Sequence, residues 1–440
     1  METDKTTLYD LSIFDPHEEY SVFHKLDFTT TSGGRHKFRG IFSRPFASIK
    51  EITGTQDIVK LFLHVNDKWP EAITNGTLLM VHKYYEQSID KLPARPTLAS
   101  AYAYKIFHSH DFSLVKYSVS HCIDLVKGMQ KIIELLAAEA TPPALKGLLD
   151  KSRTIINKPQ IAAMHKAEAA EDLAMPEMLG LAGYLRYHYK QQLLDLMDCY
   201  HQLDAWRSMA VATRTYNLSF PKFIDGEEAF LNAEGLYHIL LPQPVSYDVS
   251  LTRDNNFIFL TGANMAGKST FIKSVGAAVF LAHIGMAVPA NSMELTMFNG
   301  LLSNINVADN ISKGESYFYN EVQRIKNTII KVNNGKKWLV LIDELFKGTN
   351  VEDAMKCSTT VIKGLVKITN SLFILSTHLY EIGEKLKDDP NILFKYFETE
   401  VSGEQLLFTY LLKEGISNDR LGYLILKREG VVDMLNNLKA

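Results

Sequence analysis

The sequence predicts an all-helical region followed by an α/β region built on a mainly parallel sheet, and three observations carry that prediction. From about Trp69 to Trp206 the residues are almost wholly helix-formers, with apolar positions recurring at three- and four-residue steps. After about Leu236 the texture changes to short continuous apolar runs alternating with helical segments. Between one such run and the next helical segment lies a glycine-bounded string ending in Lys268-Ser269-Thr270. A chain of 440 residues has room for two or three domains at roughly 100–200 residues each.

From Leu26 to Leu63 a Thr/Gly-rich stretch, Thr29-Thr30-Thr31-Ser32-Gly33-Gly34, leads into apolar residues at helical spacing. Pro45 interrupts that spacing, so two short helices joined there are expected. Val115, Val119, Cys122, Val126, Met129, Ile133 and Leu136 mark one face of a long amphipathic helix. Thr141-Pro142-Pro143 reads as a helix stop and restart, with Thr141 as N-cap and proline in the first turn. A further helix is expected over about Met178 to Ala212. The runs Phe257 to Leu260, Trp338 to Ile342 and Leu372 to Leu375 lack polar alternation, as expected of strands buried on both faces of a parallel sheet. The resulting domain expectation is a short N-terminal segment over 1–25, a helical domain over 26–235 and an α/β domain over 236–440.

Hydrophobic residues make up 46% and charged residues 22%, which describes a folded protein rather than a disordered one. With 47 Lys+Arg against 50 Asp+Glu the formal charge is −3, so no global basic excess announces a nucleic-acid binder, while a local basic face stays open. Cys122, Cys199 and Cys357 are scattered singly, without the pairing of a zinc site or a disulfide framework, which fits a reducing compartment. The N-terminus lacks the basic start and apolar core of a signal peptide. The best candidate for a membrane span, Val275 to Val288, is too short and contains His283. A cytoplasmic, soluble protein without a membrane partner is expected.

Gly262-Ala263-Asn264-Met265-Ala266-Gly267-Lys268-Ser269-Thr270 fits G-x-x-x-x-G-K-[ST], follows an expected strand and opens an expected helix. Glycines there let successive backbone N–H groups curl around phosphate oxygens, and the helix N-terminus adds favourable dipole charge. Lys268 would reach the β/γ-phosphates and Ser269 would ligate Mg²⁺. Further along, the apolar run ending at Ile342 delivers Asp343-Glu344, a Walker B arrangement with Asp343 for Mg²⁺ and Glu344 for water activation. Ser376-Thr377-His378 follows a third apolar run, where His378 could hydrogen-bond the γ-phosphate and report its presence.

These residues, with Asp343-Glu344-Leu345-Phe346-Lys347-Gly348-Thr349-Asn350, resemble the P-loop, Walker B loop and histidine loop of the MutS mismatch-repair ATPases. Gly314-Glu315-Ser316-Tyr317-Phe318 falls where that family has its signature loop, and the resemblance implies that Ser316 acts in trans on a partner's nucleotide. Leu26-Asp27 with Thr29, Thr31 and Gly34-Arg35 resembles the start of the family's helical core, and Leu203-Asp204 its return. The resemblance implies an ABC-type P-loop ATPase domain, ATP and Mg²⁺ as ligands, a homodimer with composite sites, double-stranded DNA as the object of the helical levers, and repair-protein partners. It departs from the family pattern at Ala263 and Ala266, both small enough to preserve phosphate binding. Only some 25 residues precede Leu26, so mismatch-reading and connector domains are not expected. About 140 residues separate Val59 from Leu203, too few for full levers and a complete clamp at ~1.5 Å rise per residue, so a reduced or absent clamp is expected. The alternative is a nucleotide-switched adaptor that binds another protein and touches no DNA.

Three further groups have plainer readings. His108-Ser109-His110-Asp111 offers metal-ligand types, but adjacent ligands on one segment cannot close a site, which favours a polar helix start with Asp111 as cap. Arg35, Lys37, Arg39 and Arg44 read as a solvated helix face more readily than as phosphate contacts. Tyr184, Tyr187 and Tyr189 with Arg186 and Lys190 mix aromatic and basic character that could suit single strands, but ordinary packing is favoured.

Overall fold

The three unalternated apolar runs become neighbouring strands of one sheet, and the helical periodicity becomes a separate set of helices. In the computed structural model, which describes residues 1–137, 139–305, 317–402, 405–417 and 426–436, the chain forms two units. One comprises Met1–Lys25, Pro45–Ile52 and Tyr216–Ala440, the other Leu26–Arg44 and Thr53–Thr215. Residues 1–25, expected as a separate segment, and 216–235, expected on the helical side, both fall in the α/β unit.

The chain opens with α1 (Lys5–Asp10) and α2 (Val22–Leu26), then α3 (Ser32–Ser43) and α4 (Ile49–Val65) flank Pro45 as expected. Thr31 caps α3 by accepting the Gly34 N–H at 3.0 Å. The buried Asp204 carboxylate accepts the N–H and hydroxyl of both Thr30 and Thr31 at 2.7–3.1 Å, which compensates a desolvated charge. A Cβ on Gly34 would fall 2.1 Å from Asp204 Oδ2, so this approach requires glycine.

Next come α5 (Asn75–Glu86), α6 (Leu98–Phe107) and the long α7 (Ser109–Ala137), in which all seven apolar positions expected on one face are buried. Asp111 stands inside the first turn of α7 rather than at its cap, because the helix starts two residues earlier. In α8 (Pro143–Ile156) the cap position belongs to Pro142, not Thr141. The Thr141 hydroxyl instead donates to Leu136 O at 3.0 Å and closes the end of α7. After α9 (Ala162–Lys166), the single helix expected over Met178 to Ala212 is two, α10 (Met175–His188) and α11 (Lys190–Thr215). Tyr189 leaves the helical conformation at ψ 8°, buries its ring and donates its hydroxyl to Ile155 O. Burying a ring of this size is worth about 2 kcal/mol, enough to offset the broken turn.

The two surface clusters behave as ordinary structure. Arg35 pairs with Asp27 at 3.1 Å and Lys37 with Asp198 at 2.7 Å. Arg186 donates to Tyr84 O and Gln87 O, and Lys190 sits 5.6 Å above the Tyr85 ring.

In the α/β unit, β1 (Lys222–Ile224), β2 (Leu231–Leu236), β3 (Tyr247–Leu251) and β5 (Ser292–Thr296) form a mixed sheet in the order β1-β5-β2-β3. The second sheet contains β4 (Phe257–Thr261), β6 (Gly300–Asn304), β7 (Trp338–Asp343), β8 (Ser371–Ser376), β9 (Ile392–Ser402) and β10 (Gln405–Glu414), ordered β10-β9-β4-β8-β7-β6. Its neighbours are parallel except β10 on β9. Helices α12 (Lys268–His283), α13 (Tyr317–Val332), α14 (Val351–Leu365) and α15 (Tyr380–Glu384) follow β4, β6, β7 and β8. Phe257, Phe259, Val340, Ile342, Phe373 and Leu375 from the central strands pack with Ile325, Val332, Ile362 and Leu365 of α13 and α14. This buried centre explains the missing polar alternation.

The N-terminal residues have an anchoring role that their short apolar pattern gave no means of reading. Glu2 bridges Gly300 in parallel fashion, and Thr7 Oγ1 accepts the Ser303 N–H at 3.0 Å. The fully buried Asp10 accepts from Ser303 Oγ at 2.5 Å and Ile305 N–H at 3.0 Å, and pairs with Arg324 at 3.1 Å. No helix among the described residues is long and apolar enough to cross a membrane.

Candidate functional site

The carboxyl ends of β4, β8 and β7, three adjacent parallel strands, bring the sequence-predicted residues together. This is where ligands gather in open α/β sheets. From β4 the chain enters the 262–267 loop, whose glycines have the left-handed φ values of 138° at Gly262 and 111° at Gly267. Met265 adds a third positive φ, 69°, at a non-glycine position. Ala263 and Ala266 are buried beneath the loop, while Asn264 and Met265 face the cavity. Gly267 forms the N-cap of α12 without a side-chain cap, so the first-turn N–H groups of Lys268, Ser269 and Thr270 are not claimed by a capping side chain.

Lys268 is buried, and its Nζ donates to Gly262 O and Ala263 O, both at 2.8 Å. Burial pushes its pKa down to about 8, against the opposing pull of Glu344 and Asp343. Ser269 Oγ donates to Asp343 Oδ2 at 2.5 Å, and Ser376 Oγ donates to the other oxygen of that carboxylate. Glu344 sits at a left-handed φ of 63° and donates its N–H to Ser376 O at 2.9 Å. His378 Nε2 lies 2.7 Å from Glu344 Oε1, and Lys347 Nζ lies 3.4 Å from Oε2. Burial would raise the Glu344 pKa, but the hydrogen bond from His378 and the charge of Lys347 outweigh it and hold it at about 2. The His378 ring nitrogens are also 3.5 Å from Lys268 Nζ, so the histidine links the lysine to the glutamate. Ser316 lies outside the described residues.

Other residues at the site carried no signal in the sequence. A cavity of about 460 Å³ is lined by the loop, Glu344 and His378 together with Leu241, Gln243, Val245, Tyr247 and Tyr410, the two tyrosines standing beside Gly267. Tyr410 reaches it because β10 slips register between Phe408 and Leu412, with a left-handed φ of 55° at the tyrosine. Buried Glu321 of α13 accepts the N–H groups of Lys347 and Gly348 at 3.2 and 3.3 Å, which fixes the turn after Glu344. Only a strand irregularity and a helix-to-loop contact created these placements, and neither has a sequence period.

Strand, glycine-bounded loop, helix, and two further parallel strands ending in Asp343-Glu344 and Ser376-Thr377-His378 define an α/β domain of the P-loop class. Residues 258–435 match the sequence profile of MutS domain V. The chain is 28% identical over 278 residues to the DNA mismatch repair protein MutS of Thermotoga maritima, covering 62% of this chain and 34% of that protein. It is 26% identical over 277 residues to the DNA mismatch repair protein MutS of Staphylococcus haemolyticus, covering 61% of this chain and 31% of that protein. Over these matched residues the chain is similar to MutS proteins. It spans about a third of the length of the curated relatives it matches.

Proposed function

We propose that this chain is an ATPase of the MutS type that binds ATP at residues 262–270, hydrolyses it, and works as a homodimer acting on double-stranded DNA. The observation that carries the nucleotide reading is the 2.5 Å contact between Ser269 Oγ and Asp343 Oδ2, with Glu344 next in the chain. A hydroxyl and a carboxylate are oxygen donors of the kind Mg²⁺ takes, and the ion bound there would offset phosphate charge. Lys268, whose Nζ donates to Gly262 O and Ala263 O, exchanges those carbonyls for β/γ-phosphate oxygens when nucleotide binds. A Glu344 carboxylate held near pKa 2 is a weak proton acceptor, so its role is to orient the attacking water by charge. His378 couples that carboxylate to Lys268 and thereby to the phosphate. The Tyr410 ring in the cavity wall takes the base. Ser316 of a second copy would complete each site, as the resemblance implies, and preference for ATP over GTP rests on the same likeness.

DNA as the object of the helical unit rests on the mismatch-repair role of the relatives, and branched or distorted duplexes recognised by shape are the favoured class. The test is fluorescence anisotropy of the wild-type chain with perfect, mismatched and branched duplexes, with and without a non-hydrolysable ATP analogue, across a salt series. Nucleotide-dependent binding that weakens steeply with salt supports the reading. No binding to any of them, with nucleotide binding independently established, overturns its DNA part. One observation favours the adaptor reading: Leu98, Tyr102 and Ile106 recur at four-residue steps on α6 and are all exposed, as is Phe107. Retained DNA binding after Tyr102→Ser and Ile106→Ser, with loss of a protein partner, would assign that face to protein contact.

A further inference from the structure

The helical unit holds a second group of ligand-type side chains, independent of the nucleotide site. Asp90 lies in the connection between α5 and α6, His108 caps the C-terminal end of α6, and Asp111 stands in the first turn of α7. One ligand atom from each lies within 4.8 Å of the other two. His108 Nδ1 is 2.7 Å from Asp90 Oδ2, and Asp111 Oδ2 accepts the Asp90 N–H at 2.8 Å. Tyr104 stacks on the His108 ring with centroids 5.0 Å apart and donates its hydroxyl to Asp90 O at 3.2 Å. A residue that is not a ligand therefore orients both the imidazole and the segment carrying Asp90, as the supporting shell of metal sites does. Among the described residues neither carboxylate has a Lys or Arg partner within 4.0 Å; their ion-pair partners are histidines. His110 Nδ1 lies 3.8 Å from Asp111 Oδ1 on an almost fully exposed side chain, close enough to turn in.

We propose that Asp90, His108 and Asp111 form a divalent-cation site of Zn²⁺ type, with His110 or water at the fourth position. Adjacent ligands on one segment cannot close a site; the fold supplies the missing element by returning Asp90 from 18 residues upstream. One imidazole nitrogen and two carboxylate oxygens with an open position suit Zn²⁺, and a cation removes the repulsion between the carboxylates. At Zn–ligand distances of about 2.0–2.2 Å, tetrahedral donors stand roughly 3.3 Å apart, so the His108–Asp90 contact opens by about 0.6 Å on binding. The ion would tie the end of α6, the preceding connection and the start of α7 together.

The test uses the full chain, stripped with chelator and titrated with Zn²⁺ by calorimetry, alongside Co²⁺ followed by its visible absorption. The expected result is one equivalent per chain at micromolar or tighter affinity, weakened at least tenfold by His108→Gln and by Asp90→Asn, and retained in Asp343→Asn. Matching circular dichroism of the metal-free variants excludes misfolding. X-ray absorption at the zinc edge of the wild-type protein provides a reading that needs no variant: mixed nitrogen and oxygen ligands including an imidazole support the site. No saturable equivalent, full affinity in both variants, or sulfur ligation overturns the proposal.

Discussion

Replacing Glu344 by Gln keeps the shape of the side chain and removes its charge, which separates two jobs assigned to one carboxylate. His378 Nε2 at 2.7 Å and Lys347 Nζ at 3.4 Å hold its pKa at about 2, against an ordinary 4.5. That depression corresponds to at most about 3 kcal/mol of native-state stabilisation, reduced by screening because a quarter of the side chain is exposed. A depressed carboxylate contributes fully above its unfolded-state pKa and loses the contribution as pH falls toward its folded value. Glu344→Gln is therefore expected to unfold at lower urea at pH 7, and the gap from wild type should narrow as pH drops below about 4.5. The contacts of Lys268 and Ser269 are untouched, so ATP affinity should stay within about threefold, while phosphate release slows by roughly 10²–10³, the scale of a lost charge-positioning group. Stopped-flow phosphate release, nucleotide titration and urea denaturation at pH 7 and pH 4 measure these quantities. Turnover within threefold of wild type would refute the water-orienting role, and an equal stability gap at both pH values would refute the electrostatic account.

Lys268→Ala should abolish ATP binding. With the wild-type lysine at about 8, affinity should fall as pH rises through 8, approaching tenfold per unit above it, whereas Lys268→Arg should give a flat profile in the same titration. Tyr410→Ala should weaken ATP about 5- to 100-fold by removing a stacking surface, yet leave tripolyphosphate competition unchanged; equal losses for both ligands would move the base elsewhere. Gly34→Ala should cost about 3 kcal/mol in urea unfolding, because its Cβ would meet Asp204 Oδ2 at 2.1 Å and force apart the bonds to Thr30 and Thr31. A cost below about 0.5 kcal/mol would mean that the α3–α11 approach is not tightly set.

The sequence by itself determined the features that have a local period or a local string. Continuous apolar runs specified β4, β7 and β8, because strands covered on both faces need no polar alternation. The recurrence from Val115 to Leu136 specified α7 and its buried face, and the string from Gly262 to Thr270 specified a turn that only glycine-like φ values allow. Tertiary structure decided whatever depends on residues distant in sequence. Tyr189 splits one expected helix into two because its ring and hydroxyl find a home against α8, a gain that no window of α-helical propensity contains. Asp10, an unremarkable acid near the start of the chain, is buried because Ser303, Ile305 and Arg324 supply its donors. Tyr410 enters the cavity only through a register slip, and Asp90 joins His108 only where α5, α6 and α7 meet. The chain could announce a glycine-bounded loop between strand and helix from nine consecutive residues. The lining of its cavity and the pairing of its isolated acids were settled by packing, since desolvated charge must find its partners wherever the fold places them.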